Sequence, residues 1–239
     1  IAIVVAIALI FYGVPIGFAL GAVGVVGNGI MIGWPQTFVQ TQLVAWEVGT
    51  NFLFIAAPLF LLMGQLVYHT GIATDLYDAV HKWFGRLPGG LAVTSTVASA
   101  GFGAVTGSSI AAVATMGTMA MPEMRRYGYS MSLATGSLAS AGTLAILIPP
   151  SIALVFIGVW TETSIGQLFV AGIVPGVLMA VLFAAWIVLR CTINPALGPR
   201  GERFALSVRI RSLIKLAPTA TIFAIVLGGI YRGVFTPTE

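Results

Sequence analysis

The sequence predicts an all-α protein of several transmembrane helices, including a re-entrant helical hairpin and an interrupted helix. Three observations predict it. Of 239 residues, 58% are hydrophobic and 8% are charged, whereas soluble domains carry about 25% charged residues. A globule this apolar could not cover its surface in water, so the solvent for most of the chain is a bilayer. Long uncharged runs alternate with short basic segments. Two of those runs are broken internally by glycine or proline.

The composition also excludes several classes. The net charge of +4 is not a nucleic-acid signal, because six of the eleven Lys and Arg residues fall between Arg190 and Lys215 beside an apolar run. That is where the positive-inside rule places them. The single cysteine, Cys191, leaves no internal disulfide. Glycine is abundant at 29 residues, which suits close helix approach in lipid. The sequence opens at Ile1 without Met, is apolar at once and lacks a basic start. This fits a trimmed chain better than a signal peptide.

Residues 1–70 hold the first spans. Residues 1–33 are uncharged and longer than one crossing of about 20 residues, with a kink expected at Pro15. Residues 34–50 are more polar and read as an interfacial stretch anchored by Trp34 and Trp46. A second span is expected over 51–70. Residues 71–88 contain an amphipathic surface helix. Ile72, Leu76, Ala79, Val80 and Trp83 lie on one face, with Asp75, Asp78, Lys82 and Arg86 opposite.

Residues 89–122 are uncharged and interrupted by Gly101, Gly103 and Gly107. The run exceeds one crossing and falls short of two, which need about 40 residues and a turn. Lys82 and Arg86 precede it, and Arg125 and Arg126 follow it. The positive-inside rule puts both flanks in the cytoplasm. A re-entrant hairpin satisfies this, with arms of about 13 residues, roughly 20 Å each, and a tip near Phe102–Ser109. Residues 129–160 form the interrupted helix. Gly142 and Thr143 stand before the break, Pro149 and Pro150 deny it two backbone donors, and the helix resumes at Ser151. Residues 161–164 hold one acid and no base, which suits the far side. A span follows over 165–190, and 191–239 combine a cytoplasmic basic segment with a further span.

Unpaired backbone groups in lipid are costly, so paired breaks of this kind point to a transport site. Thr106, Ser108 and Ser109 supply hydroxyls at the tip, and freed carbonyls suit a small hard cation. The N-terminus of the second arm suits a carboxylate. No Asp, Glu, Lys, Arg or His lies in 89–122, 127–161 or 163–189. Proton carriers use titratable groups at membrane depth, so Na⁺ is favoured over H⁺. The metal candidates are Gly103, Thr106, Ser108, Ser109, Gly142 and Thr143. The substrate candidates are Thr106, Gly107, Ser108, Ser109, Pro149, Pro150 and Ser151. Small residues at this spacing also serve plain helix packing. An intramembrane Ser–His hydrolase would need a His at the depth of the hairpin serines, and none occurs after His81. No enzyme activity is expected. A channel would show polar or charged rings.

The stretches GVPIGFALG (13–21), PLFLLMG (58–64), GRLPGGLA (85–92), GAVTGSSIAAVATMG (103–117), PEMRRYGYS (122–130), GTLAILIPPS (142–151), LFVAGIVPG (168–176) and GGIYRGVFTPTE (228–239) resemble, in order and spacing, one family. It is the large, DctM-type membrane subunit of the tripartite ATP-independent periplasmic (TRAP) transporters. The resemblance implies Na⁺-coupled uptake of a small organic anion, such as a dicarboxylate or sugar acid, across the bacterial inner membrane. It implies three partners besides the lipid bilayer: a periplasmic substrate-binding protein, a small four-helix membrane subunit and the organic-anion substrate. It further implies an elevator fold of two inverted repeats, with 1–70 as scaffold and 89–190 as the first transport-domain repeat. The family's subunit is roughly twice as long, so the second hairpin and second broken helix are missing here. The alternatives are a related ion-coupled anion carrier working without a binding protein, or a fragment that does not transport.

Overall fold

A computed structural model describes residues 1–51, 56–234 and 236. The start of the span expected over 51–70, and most of the TPTE end of the segment expected to open a second repeat, lie outside the described residues. Among the described residues there are twelve α-helices and no strand. The chain is an all-α membrane protein. It divides into two compact units, residues 1–51 and 52–239.

The first unit contains α1 (Ala2–Phe11), α2 (Ile16–Ile32) and α3 (Trp34–Thr50), with α2 packed against both neighbours. The segment expected as one kinked span over 1–33 is two helices. Gly13 takes φ +89, and Pro15, at the N-cap of α2, has no N–H with which to continue α1. Residues 34–50, read from their polarity as an interfacial stretch, form a regular helix of 17 residues. Its start is fixed locally. The Trp34 ring lies over Gly29, where a Cβ would come within 2.8 Å of ring carbons. The Thr37 hydroxyl donates to the Gly33 carbonyl at 2.9 Å.

The second unit runs α4 (Ala56–His69), α5 (Ile72–Phe84), α6 (Gly90–Thr106), α7 (Ser109–Arg126), α8 (Met131–Leu147), α9 (Ile152–Trp160), α10 (Ile165–Ile193), α11 (Leu206–Ile214) and α12 (Ala217–Tyr231). At its centre stands α6, in which every residue but Val97 and Gly101 is buried. It packs against α4, α5, α7, α8, α10 and α12. Polar residues survive on so buried a helix by bonding backward along it. Thr94, Ser95 and Thr96 donate to the carbonyls of Gly90, Leu91 and Ala92 at 2.8, 2.8 and 3.0 Å. By length and composition α10 is long and apolar enough to cross a membrane, and the pairs α8–α9 and α11–α12 qualify if each is one span, bent by 44° and 48°.

Both arms of the hairpin are longer than expected from the sequence. α6 has 17 residues and α7 has 18, or about 26 Å each. Gly101 and Gly103 do not interrupt α6. They are helical and serve close packing, Gly101 against Leu76 and Gly103 against Ala145. Pro122 is carried inside α7.

The feet of the hairpin are tied at one end of the unit. Gly89 N–H donates to Gly198 O at 3.0 Å, Ser130 N–H to Leu197 O at 2.9 Å and Gly201 N–H to Gly85 O at 3.0 Å. The Tyr129 hydroxyl donates to Pro199 O at 2.8 Å and accepts from Leu91 N–H at 3.1 Å. Burial pushes that phenol up to about 12, against the lowering effect of the Leu91 bond, so it stays protonated and keeps donating. Gly198 is wedged against Tyr129, Cys191 and Gly89, with contacts of 2.8–3.1 Å to an added Cβ. The loops 85–89, 127–130 and 194–201 therefore lie together. The start of α6, the end of α7, the start of α8 and the end of α10 share one side.

The amphipathic pattern of α5 is also resolved. Ala73, Leu76, Tyr77, Ala79 and Val80 are buried, with α5 packed on α6, α4, α7, α11 and α12. Its apolar face is covered by protein except at Trp83, which is 37% exposed. Its acidic residues pair outward: Lys82 with Asp78 at 3.0 Å, and Lys215 with both Asp75 and Asp78 at 3.1 Å. Partial burial pushes the Asp78 carboxyl up, but the hydrogen bonds from Lys82 and Lys215 outweigh it, and the group lies below its ordinary value. Hydrogen bonds to Asp78 and Asp75 raise Lys215 above its ordinary value.

Candidate functional site

The turn of the hairpin is two residues, Gly107 and Ser108. Gly107 ends α6 in the left-handed region at φ +62, and its N–H donates to Gly103 O at 2.7 Å. Ser108 is extended and caps α7, its hydroxyl accepting from Ala111 N–H at 3.4 Å. Its own N–H makes a long contact of 3.5 Å to the Thr106 hydroxyl. The second break spans Ile148–Ser151, between α8 and α9. Pro149 and Pro150 have no N–H, so the carbonyls of Ala145 and Ile146 lack the helical donors four residues on. α9 starts without a side-chain cap, and the Ser151 hydroxyl is fully buried, with no hydrogen-bond partner among the described residues.

The two breaks touch. A Cβ on Gly107 would lie 3.0 Å from Pro150 O and 3.3 Å from Ile152 N. Neighbouring glycines let other helices close on the same place. Gly64 of α4 lies against Thr106, Gly172 of α10 against Leu147 O and Gly176 of α10 against Ile148, with nearest Cβ contacts of 3.0, 2.5 and 2.6 Å. Gly142 of α8 packs against Val113 of α7, and a Cβ added there would lie 3.5 Å from Ser109 O.

The sequence-derived candidates fall into two sets. Thr106, Gly107, Pro149, Pro150 and Ser151 are buried at the contact of the breaks, with Ser108 half-buried beside them. Ser109, Gly142 and Thr143 instead line an open groove of about 490 Å³ between α7 and α8, with Ile110, Val113 and Ile146. Thr143 and Gly142 do not belong to the break as the sequence suggested. The helix runs on to Leu147, and the Thr143 hydroxyl donates to Ser140 O at 2.7 Å. Gly103 is likewise helical and supports the tip from one turn below. The proline effect acts on acceptors four residues earlier and on the residue just before the ring, so it opens the helix at Ile148 and leaves Gly142 helical. Sequence reasoning missed Gly64, Gly172 and Gly176. The signal was the i, i+4 spacing of Gly172 and Gly176 on one face of α10.

This arrangement presents two kinds of group. The first-turn amides of α7 and α9 have no intrahelical acceptor, and the last carbonyls of α6 and α8 have no intrahelical donor. The former attract an anion and the latter a cation. No charged side chain occurs in α6, α8, α9 or the two breaks.

An uncharged core in which a hairpin turn meets an interrupted helix defines the discontinuous-helix class of membrane proteins. Within that class the comparison is specific. The family described as "Tripartite ATP-independent periplasmic transporter, DctM component" matches residues 3–239. The chain belongs to this family. It is 38% identical to the C4-dicarboxylate TRAP transporter large permease protein DctM of Pseudomonas aeruginosa, over 88% of this chain and 49% of that one. It is 35% identical to the ectoine TRAP transporter large permease protein TeaC of Halomonas elongata, over 98% and 54%. It is 31% identical to the 2,3-diketo-L-gulonate TRAP transporter large permease protein YiaN of Escherichia coli, over 95% and 52%. The chain spans about half the length of these curated relatives.

Proposed function

We propose that the protein is the large permease of a Na⁺-coupled uptake system for a small organic anion, a dicarboxylate or sugar acid. The anion is received from a periplasmic binding protein, a small four-helix membrane subunit completes the system, and the assembly works in the bacterial inner membrane. The observation that carries this reading is the contact of Gly107 with the Pro150–Ile152 backbone. It gathers carbonyls and amides left unpaired by the helix breaks, and the Ser151 hydroxyl, which has no partner among the described residues, in one uncharged place. Such groups need an occupant where water is scarce. Na⁺ satisfies several oxygens at once: carbonyls of the tip and break, with Thr106, Ser108 and Ser109. The Gly103 carbonyl already accepts from Gly107 and has a second lone pair to give. Gly142 and Thr143 stand on the groove side of the same site. The cargo carboxylate lies on the first-turn amides of α7 and α9, beside Pro149, Pro150 and Ser151. The family membership supports the permease role, and the named cargoes of its relatives support a small polar substrate.

The test is uptake by the full-length protein in proteoliposomes, supplied with a labelled dicarboxylate or sugar acid on its binding protein. Na⁺ and proton gradients are imposed separately. Uptake should follow the Na⁺ gradient and require the binding protein. Strong uptake driven by a proton gradient without Na⁺ would overturn the coupling. Equal uptake without the binding protein would favour a carrier that works alone.

A further inference from the structure

The amphipathic helix whose apolar side faces away from the protein is α11. Its polar side is turned inward. Ser212 is buried at 3% exposure, with its hydroxyl donating to Arg209 O at 2.6 Å. The Arg209 guanidinium lies 6.0 Å from the centre of the Trp83 ring on α5. Lys215, just past the helix, pairs with Asp75 and Asp78 of α5. The outward side carries Leu206, Ile210, Leu213 and Ile214, exposed at 64, 55, 44 and 72%. Positions i, i+4, i+7 and i+8 fall on one stripe about 100° wide. Arg209 borders that stripe on one side and Arg211 on the other. A helix lying on a globule in water has the opposite arrangement, with the apolar stripe inward.

We propose that α11 is an interfacial anchor that sinks its Leu206–Ile210–Leu213–Ile214 stripe into the cytoplasmic leaflet and holds anionic phospholipid headgroups on Arg209 and Arg211. Charge complementarity selects this occupant. Residues 200–215 carry five basic groups and one acid, Glu202. Long basic side chains flanking an apolar stripe lie along the acyl boundary with their heads among phosphates. At nine residues α11 is too short to cross. It is followed at a bend of 48° by the apolar α12, which holds it near the lipid surface. The inference goes beyond the transport reading, because the stripe belongs to none of the elements at the paired breaks.

The full-length protein carrying Ile210→Cys is labelled with an environment-sensitive fluorophore, since native Cys191 is buried. It is then placed in nanodiscs of phosphatidylcholine with or without phosphatidylglycerol. Brominated lipids should quench the label and aqueous iodide should not. Brominated phosphatidylglycerol should quench more than brominated phosphatidylcholine at equal mole fraction. Arg209→Gln and Arg211→Gln should each reduce that anionic preference by roughly fivefold. Ile214→Cys repeats the measurement if the first variant does not fold. Protection from both quenchers would show that protein covers the stripe, and iodide quenching alone would show that water does. Either result overturns the proposal, as does an unchanged lipid preference in both arginine variants.

Discussion

At the scale of single residues, Gly107 and Ser151 have opposite relations to stability. Gly107 holds φ +62 with its Cα facing Pro150 O. Gly107→Ala adds a left-handed penalty of about 1–2 kcal/mol to a steric one. Gly107→Asn eases the first and keeps the second. Both variants should unfold at lower temperature than wild type, and both should lose uptake in the proteoliposome assay. Ser151→Ala removes a buried hydroxyl that satisfies nothing among the described residues. Its ligand-free stability should be unchanged, or higher by about 1 kcal/mol, while the half-saturating cargo concentration rises. An unchanged cargo titration would remove Ser151 from the substrate site. The composition of the site was legible in the sequence, because glycine, serine and paired proline in an uncharged run are unusual chemistry for lipid. The reason for each glycine was not. A glycine needed for torsion and one needed for close approach look alike until the neighbouring helix is in place. Gly103 and Gly142 proved to be the second kind.

At the scale of elements, the charge distribution identified the hairpin, and helical periodicity identified α5. Neither could say what covers an apolar face. The stripe of α5 lies against its own protein, whereas α11, legible only as a basic segment, turns its stripe outward. The two helices are joined by Lys215 and the pair Asp75 and Asp78. Asp78 lies below its ordinary value of 3.8, and Lys215 lies above its ordinary value of 10.5. A lowered carboxyl contributes above its unfolded value and loses that contribution as pH falls through the lowered one. A raised amine contributes below its unfolded value and loses it as pH rises through the raised one. The joint should therefore hold from below pH 3.8 to above pH 10.5. The protection of the α11 amides, relative to the intrinsic exchange rate at each pH, should be flat across neutral pH and fall beyond either end. Lys215→Gln should show the faster exchange at pH 7. A loss of wild-type protection between pH 5 and 8 would mean that other groups control the joint.

At the scale of the whole molecule, the hairpin turn and the interrupted helix were legible from two facts about the chain: where charge is allowed and where helix cannot continue. The length of the arms was not, since glycines inside a helix were read as ends. The three tied loops, the Tyr77 hydroxyl 3.4 Å from Glu123 Oε2 and the Lys215–Asp78 pair put Asp78, Arg126 and Ala205 at one end of the unit. Single cysteines at these positions, introduced one at a time, should react with a membrane-impermeant thiol reagent from the same side of oriented vesicles. Reaction of position 126 from the side opposite to 78 would be incompatible with the hairpin.

The same tie reverses the usual tolerance of surface loops for added sequence. Connecting loops normally accept insertions because few contacts depend on their length. Here three of them are spliced into one knot by backbone bonds through Gly85, Gly89, Leu197 and Gly198. The 161–164 turn is exposed and bonds mainly to its own neighbours and the adjacent end of α9. A short epitope tag placed after Glu162 should leave expression and uptake near wild type. The same tag placed after Gly198 should abolish both, although that loop also lies outside the spans. Equal tolerance at the two places would show that the knot is dispensable. If the knot is needed, chain length in the basic loops is held as tightly as residue identity at the breaks.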